Sequence, residues 1–146
     1  MTSIVWKPRE LPTHGQMTLP RRYFTSSELL TEEMERLFSR QWLCVDREEK
    51  IAKPGEYFVL ELAGESILIL RDQQGAVRAF HNVCRHRGSR LCEEHQGQLS
   101  ETIQCPYHAW TYSLDGRLIG APATNDLEGF RKQDWPLHPV RIALWE

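Results

Sequence analysis

The sequence predicts a mainly β fold, a small antiparallel β-sandwich behind an N-terminal arm and one amphipathic helix. Three observations lead there. Prolines break the first two dozen residues, apolar residues recur at helical spacing only as far as Trp42, and beyond it short apolar runs alternate with turn signals.

Residues 1–24 hold Pro8, Pro12, Gly15 and Pro20 without a period and read as an extended arm. Thr25, followed three residues on by Glu28, has the pattern of a capping box. Leu30, Met34, Leu37, Phe38 and Trp42 then share one face, while Glu32, Glu33, Glu35, Arg36 and Arg40 fill the other, which predicts a helix from Ser26 to Gln41. Tyr57–Leu62 and Ile67–Leu70 flank Ala63-Gly64-Glu65-Ser66 as a hairpin. Asp72-Gln73-Gln74-Gly75 turns into a strand over Ala76–Phe80. Trp110–Leu114 and Arg117–Ile119 enclose Asp115-Gly116, a strong hairpin-turn pair. Val140–Trp145 reads as a last strand, and the chain stops inside it. The expected organisation is an arm and helix over 1–41 and a β domain over 42–146.

A length of 146 residues suits one compact domain. The net charge of −2 argues against a nucleic-acid partner, which would call for a basic stripe. Mean hydropathy is −0.52, and no apolar run approaches the ~20 residues that cross a bilayer. Residues 1–16 lack the apolar centre of a signal peptide. A cytoplasmic protein, with neither membrane nor nucleic acid as partner, is expected. In such a chain four cysteines favour metal over disulfides, because two of them stand close to histidines.

Those two carry the chemistry. Cys84-Arg85-His86 and Cys105-Pro106-Tyr107-His108 each supply one thiol and one imidazole, with 18 residues between them. Loops at one end of a sandwich can bring such pairs together. A structural zinc site usually draws its cysteines as one close pair and its histidines as another. Mixed pairs suit two irons, one held by two cysteines and the other by two histidines, which is the ligand pattern of a Rieske [2Fe–2S] cluster. Charge explains the choice. Two ferric ions, two sulfides, two thiolates and two neutral imidazoles sum to zero, and reduction leaves only −1. Four thiolates would take the centre from −2 to −3, so the mixed set accepts an electron more readily, at about −150 to +300 mV against about −400 mV.

Cys84-Arg85-His86-Arg87-Gly88 and Cys105-Pro106-Tyr107-His108-Ala109-Trp110 closely resemble the Rieske domain of ring-hydroxylating-type oxygenase α subunits. The likeness extends upstream to the helix with Glu28, Glu35, Phe38 and Trp42, covers about residues 18–146, and departs at Ala109, where many relatives have glycine. The resemblance implies a [2Fe–2S] cluster on Cys84, His86, Cys105 and His108. It also implies a catalytic domain, absent from this chain, holding mononuclear non-haem Fe(II) on two histidines and a carboxylate. His14, His81, His95 and His138 show no spacing that would build that second site here. The chain would relay electrons from a flavin/iron–sulfur reductase or a ferredoxin. The resemblance further implies a homotrimer in which one subunit's cluster serves its neighbour's iron.

A free-standing Rieske ferredoxin is the alternative, although a carrier needs only the β domain and this chain places 41 residues before it. The respiratory type resembles the chain in its ligands but adds a disulfide between the two loops, where this sequence has Ser89 and Tyr107. Leu19–Thr25 and Phe80–Arg90 look most like family members that oxidise quaternary ammonium compounds, with aromatic-ring dioxygenases as the other possibility.

Around the ligands, Gly88 is read as the residue that allows a tight first loop, Pro106 as one that stiffens the second, and Trp110 as a shield against water, each against an ordinary structural role. Arg85, Arg87 and Arg90 would offset the charge gained on reduction or dock an acidic donor. Cys44 and Cys92 are expected to be buried as small apolar residues, His81 to be structural, and His95 to lie on a surface loop.

Overall fold

The computed structural model describes residues 18–124 and 126–145. Seven strands form two antiparallel sheets. The first has the order β3-β2-β1-β4, with β1 over Glu56–Leu62, β2 over Glu65–Arg71, β3 over Val77–His81 and β4 over Gln96–Gln98. The second has the order β5-β6-β7, over Thr102–Gln104, Thr111–Ser113 and Leu118–Gly120. The predicted mainly β fold is found, with β4 and β5 too short and too polar to be seen in the sequence.

Period-two patterning places Tyr57, Val59, Leu68, Leu70 and Phe80 against Ile103, Tyr112, Leu114 and Leu118 of the second sheet. This is the main core, and Cys84, Cys105 and Trp110 belong to it. Alternate residues Phe58, Ile67, Ile69 and Ala79 form a second cluster on the opposite face, covered by Ile51, Val140 and Ile142. The β1–β2 hairpin is tighter than expected. Leu62 pairs with Glu65, and Ala63 and Gly64 both have positive φ, at 51° and 83°, as a two-residue turn of type I′ requires. Gly116 (φ 88°) turns β6 into β7 against the Phe80 ring, which would lie 2.5 Å from an added Cβ, so only glycine fits.

Three sequence expectations need correction. Arg22–Thr25 is a short helix (α1) within the expected arm, and residues before 18 lie outside those described. Thr25 closes α1 through Arg21 O, so Ser26 caps the next helix, α2 (Ser27–Glu33), by accepting from the Leu29 amide at 3.2 Å. The helix then widens to a π turn at Met34–Phe38 and stops. Ser39 Oγ and Arg40 Nε both donate to Glu35 O and compete with the helical ladder, leaving Trp42 exposed beyond its end. Val140–Trp145 is not a strand. The tail meets β3 through one isolated bridge, Phe80 opposite Pro139, flanked by bonds from His81 N to His138 O and from Val140 N to Ala79 O, both at 2.9 Å, and it covers the sheet with Val140 and Ile142.

The two loops that carry the motifs have the same backbone shape. In the first, Cys84 N donates to Ser89 O at 2.7 Å and Cys84 O accepts from Gly88 N at 2.9 Å. In the second, Cys105 N donates to Trp110 O at 2.8 Å and Cys105 O accepts from Ala109 N at 3.1 Å. The fifth residue of each turn is left-handed, Gly88 at φ 73° and Ala109 at φ 56°. Gly88 therefore has the conformational role expected of it. Ala109 holds the same conformation with a Cβ, which is strained. Asn82 closes the base of the first loop. Its Oδ1 accepts from Leu91 N and Cys92 N, and its Nδ2 donates to Cys92 O at 2.7 Å.

Two stability predictions follow from these contacts. Ala109→Gly relieves the left-handed strain and is expected to stabilise the protein by about 0.5–1 kcal/mol, read from the denaturant midpoint. Asp72 is fully buried, takes bonds from Gln74 N and Ala76 N, and pairs with Arg78 at 2.8 Å. Burial pushes its carboxyl upward, but Arg78 and the two amides outweigh this and hold it below the usual value. Asp72→Ala is expected to cost about 2–3 kcal/mol at neutral pH. A depressed carboxyl stabilises above its unfolded value of about 3.9 and loses that contribution as pH falls through its folded value, so the two proteins should converge in acid.

Candidate metal centre

The two loops bring the motif side chains together as two unlike pairs, one of thiols and one of imidazoles. Cys84 and Cys105 are 2% and 3% exposed and close the main core. The Cys105 sulfur is near enough to disfavour ionisation of Cys84. His86 and His108 lie outside them with ring centroids 4.9 Å apart, edge to face. His86 is exposed and His108 half-buried. The loops place these residues by offset. Histidine stands two residues after the cysteine in one turn and three after it in the other, so the shared backbone shape brings both rings to the same rim.

Among the described residues, no three Cys, His, Asp or Glu side chains gather about a single point as one ion would need. Two thiols on one side and two imidazoles on the other match a two-metal centre. A further observation tests the fit. His108 Nδ1 is buried without any hydrogen-bond partner. A buried ring nitrogen loses its water without compensation, and such groups are rare in folded proteins. A metal accepting the lone pair accounts for it, so the residues present fit the [2Fe–2S] group.

Electrostatics favour the same use. Burial, followed by the neighbouring His108 and Arg87, holds His86 below the ordinary histidine value, the direction that favours the neutral ring ligation requires. Burial raises the Cys84 thiol above its ordinary value. Tyr112, fully buried on β6, opposes that rise. Its oxygen accepts from Arg85 N at 3.1 Å, which leaves its own proton to point at Cys84 Sγ, 3.4 Å away. Burial, with Cys84 beside it, pushes the Tyr112 phenol well above its usual value, so it stays a donor.

Trp110 is 4% exposed and stacks on His86 with planes 6° apart, so it lies against one of the candidate ligands. Pro106 is exposed at the tip of the second loop. The three arginines divide. Arg85 Nη1 donates to Pro136 O at 2.8 Å, Arg90 pairs with Glu61 at 2.9 Å, and Arg87 stays exposed with its charge reaching His86. Cys92 is buried, and that burial pushes its thiol up to about 11, whereas Cys44 is exposed, contrary to expectation, in the irregular stretch that follows the helix. His81 is structural, contacting Glu65 at 3.2 Å, and His95 is exposed on the bend before β4. His138 is exposed, and His14 lies outside the described residues. Sequence reasoning passed over Asn82, Tyr112, Phe130 and Trp135. Of these only Tyr112 left a signal, since strand alternation turns its hydroxyl inward, where it needs a partner.

No helix among the described residues is long and apolar enough to cross a membrane. Comparison with known proteins extends the reading. The carnitine monooxygenase oxygenase subunit of Acinetobacter baumannii is 38% identical over 125 residues, covering 86% of this chain and 33% of that protein. The glycine betaine monooxygenase oxygenase subunit of Chromohalobacter salexigens is 41% identical over 107 residues, covering 73% and 24%. Among solved structures, a quaternary ammonium Rieske monooxygenase in complex with L-carnitine matches with a TM-score of 0.78 and 37% identity over 85% of this chain and 35% of that one. Naphthalene 1,2-dioxygenase from a Rhodococcus species matches with a TM-score of 0.76 and 35% identity, covering 82% and 28%. The chain thus spans about a third of the length of the first relatives it matches. Residues 41–131 match the model of the Rieske [2Fe-2S] domain, and with its paired thiols and imidazoles on two loops of a two-sheet fold, the chain belongs to that family.

Proposed function

We propose that Cys84, His86, Cys105 and His108 hold a Rieske [2Fe–2S] cluster, two thiolates on one iron and two imidazoles on the other, and that the chain is the electron-transfer domain of a non-haem iron oxygenase. The observation that carries the assignment is the orphaned His108 Nδ1 beside the second imidazole and the closed thiol pair. When bound, such a cluster carries one electron at a time.

The protein's own residues set how it does so. The core seals the two sulfurs from water, and the Tyr112 hydroxyl donates to one of them, favouring the more negative, reduced state. The imidazoles alone reach the surface. Their rim, with exposed Tyr107, Pro106 and the free guanidinium of Arg87, is where a partner can approach. Its positive charge suits an acidic reductase or ferredoxin and a carboxylate on a neighbouring subunit. A related quaternary ammonium Rieske monooxygenase has been described in terms of inter-subunit electron transfer, which supports oligomeric assembly, by family resemblance a trimer.

The catalytic Fe(II) site would lie in a further domain. Residues 18–41 support that arrangement over a stand-alone carrier. No side chain of either helix is buried, and Phe24, Leu30 and Leu37 are all more than half exposed, as expected for a segment that packs on a larger body. The division into a segment over 1–41 and a cluster domain over 42–146 follows from this reading. Likeness to carnitine and glycine betaine monooxygenase subunits makes a quaternary ammonium compound the proposed substrate class, oxidised by O₂-dependent hydroxylation or demethylation.

Anaerobically purified protein is expected to be red-brown, with two irons and two acid-labile sulfides and a reduced EPR signal averaging below the free-electron g value. Colourless protein carrying a single zinc would overturn the assignment. His108→Cys replaces a neutral ligand with a thiolate and should drive the reduction potential strongly negative, toward the all-thiolate range of about −400 mV. Tyr112→Phe removes one charge-assisted bond worth about 1–2 kcal/mol and should lower the potential by about 50–100 mV, measured by redox titration.

A further inference from the structure

The candidate ligands are not held alike. Core packing fixes both cysteines, and His108 is half-buried with the Tyr107 ring 3.7 Å from its own. His86 is exposed, and the last torsion of a histidine is broad and roughly two-fold, so the loop alone does not set its ring plane. The stacking of Trp110 on His86 does.

Trp110 is in turn clamped from behind. Phe130 and Trp135 each meet it edge-on at 5.8 Å and lie 6.0 Å from one another. Both belong to a strap over residues 126–137 that returns to the core at Leu137, whose amide donates to Gly116 O. The strap is tied to the first loop by Arg85, the residue between Cys84 and His86. Its Nη1 bonds Pro136 O at 2.8 Å, and its guanidinium lies 5.5 Å from the Trp135 ring centre. Its backbone amide is held by Tyr112. The residue next to His86 is therefore anchored at both ends, to the sheet by its main chain and to the strap by its side chain.

We propose that Trp110, Phe130, Trp135 and Arg85 form a latch that fixes the plane of the exposed His86 imidazole, and so act as positioning residues for the outer end of the cluster. The proposal rests on His86 being a ligand. A free ring would meet its metal at different angles in different molecules and would admit water beside it. The latch removes both sources of variation without burying the ring, leaving His86 at the surface for a partner.

The cluster-loaded chain tests it with three variants. Arg85→Met cuts the tie to the strap at a partly exposed position, Trp135→Leu removes the clamp, and Arg85→Lys restores a cation. Iron and sulfide are assayed first, then nitrogen couplings by pulsed EPR and the rate of cluster loss in chelator. Arg85→Met and Trp135→Leu are expected to load fully, to broaden one of two imidazole couplings while sparing the other, and to lose the cluster about 10-fold faster, with Arg85→Lys between them and wild type. Unchanged couplings and loss rates in fully loaded Arg85→Met would overturn the latch, whatever Trp135→Leu does to folding. Wild-type protein whose cluster shows one histidine nitrogen, retained in His86→Ala, would overturn instead the assignment of His86 on which the latch depends.

Discussion

Two loops far apart in the chain must hold their shape before any metal can join them, and the main chain does this in the same way twice. Each cysteine amide donates to the carbonyl five residues on, and each cysteine carbonyl accepts from the amide four residues on. The side chains at intervening positions, Arg85 and Arg87 in one loop and Pro106 and Tyr107 in the other, take no part in these closing bonds. What does not vary freely is the residue that closes the turn. It must be left-handed, and the chain meets that demand comfortably with Gly88 and under strain with Ala109. The departure from the family pattern at 109 is thus a matter of stability and leaves the ligands in place.

The site is divided by environment as well as by chemistry. Thiols face a core made by both sheets, and imidazoles face solvent. A cluster that is neutral when oxidised can keep one end in such a core without an uncompensated charge. One electron would add a single negative charge, which the Tyr112 hydroxyl beside Cys84 and the exposed His86 at the other end are placed to meet. The pairing of ligand type with burial therefore follows from charge, and a four-thiolate centre would fit this cavity poorly. Arginine placement follows the same division. Arg85 and Arg90 are committed to structure, and Arg87 remains as the exposed charge of the rim.

The strands that build the core were legible because alternation writes burial directly into sequence, as in Tyr57–Leu62 and Ile67–Leu70. The ligand loops were legible for a different reason: thiol and imidazole at short spacing have few other uses. Illegible features depend on tertiary contacts. Strands β4 and β5 have three residues each and no pattern, and are strands only because β1 and β6 lie beside them. The false strand at Val140–Trp145 has the right residues, but Val140 and Ile142 pack across Ile69 and Ala79 and the tail meets β3 at a single bridge. Asn82, Phe130 and Trp135 look like loop residues, and nothing local says that they close a ligand loop or clamp a tryptophan.

The N-terminal segment completes the physical picture by failing to be self-sufficient. Helix α2 and the π turn after it run for twelve residues, too short to be stable alone in water, and none of their side chains is buried. Their apolar residues nevertheless keep to helical spacing, and Trp42 beyond them is 67% exposed. An amphipathic stripe that the β domain does not cover gains stability only against another surface. The β domain needs no such help, since its two clusters cover both faces of the larger sheet. The cluster end can thus be complete within this fold while the helix is not. That asymmetry is what the proposed role, an electron-relay domain that packs against a larger body, calls for.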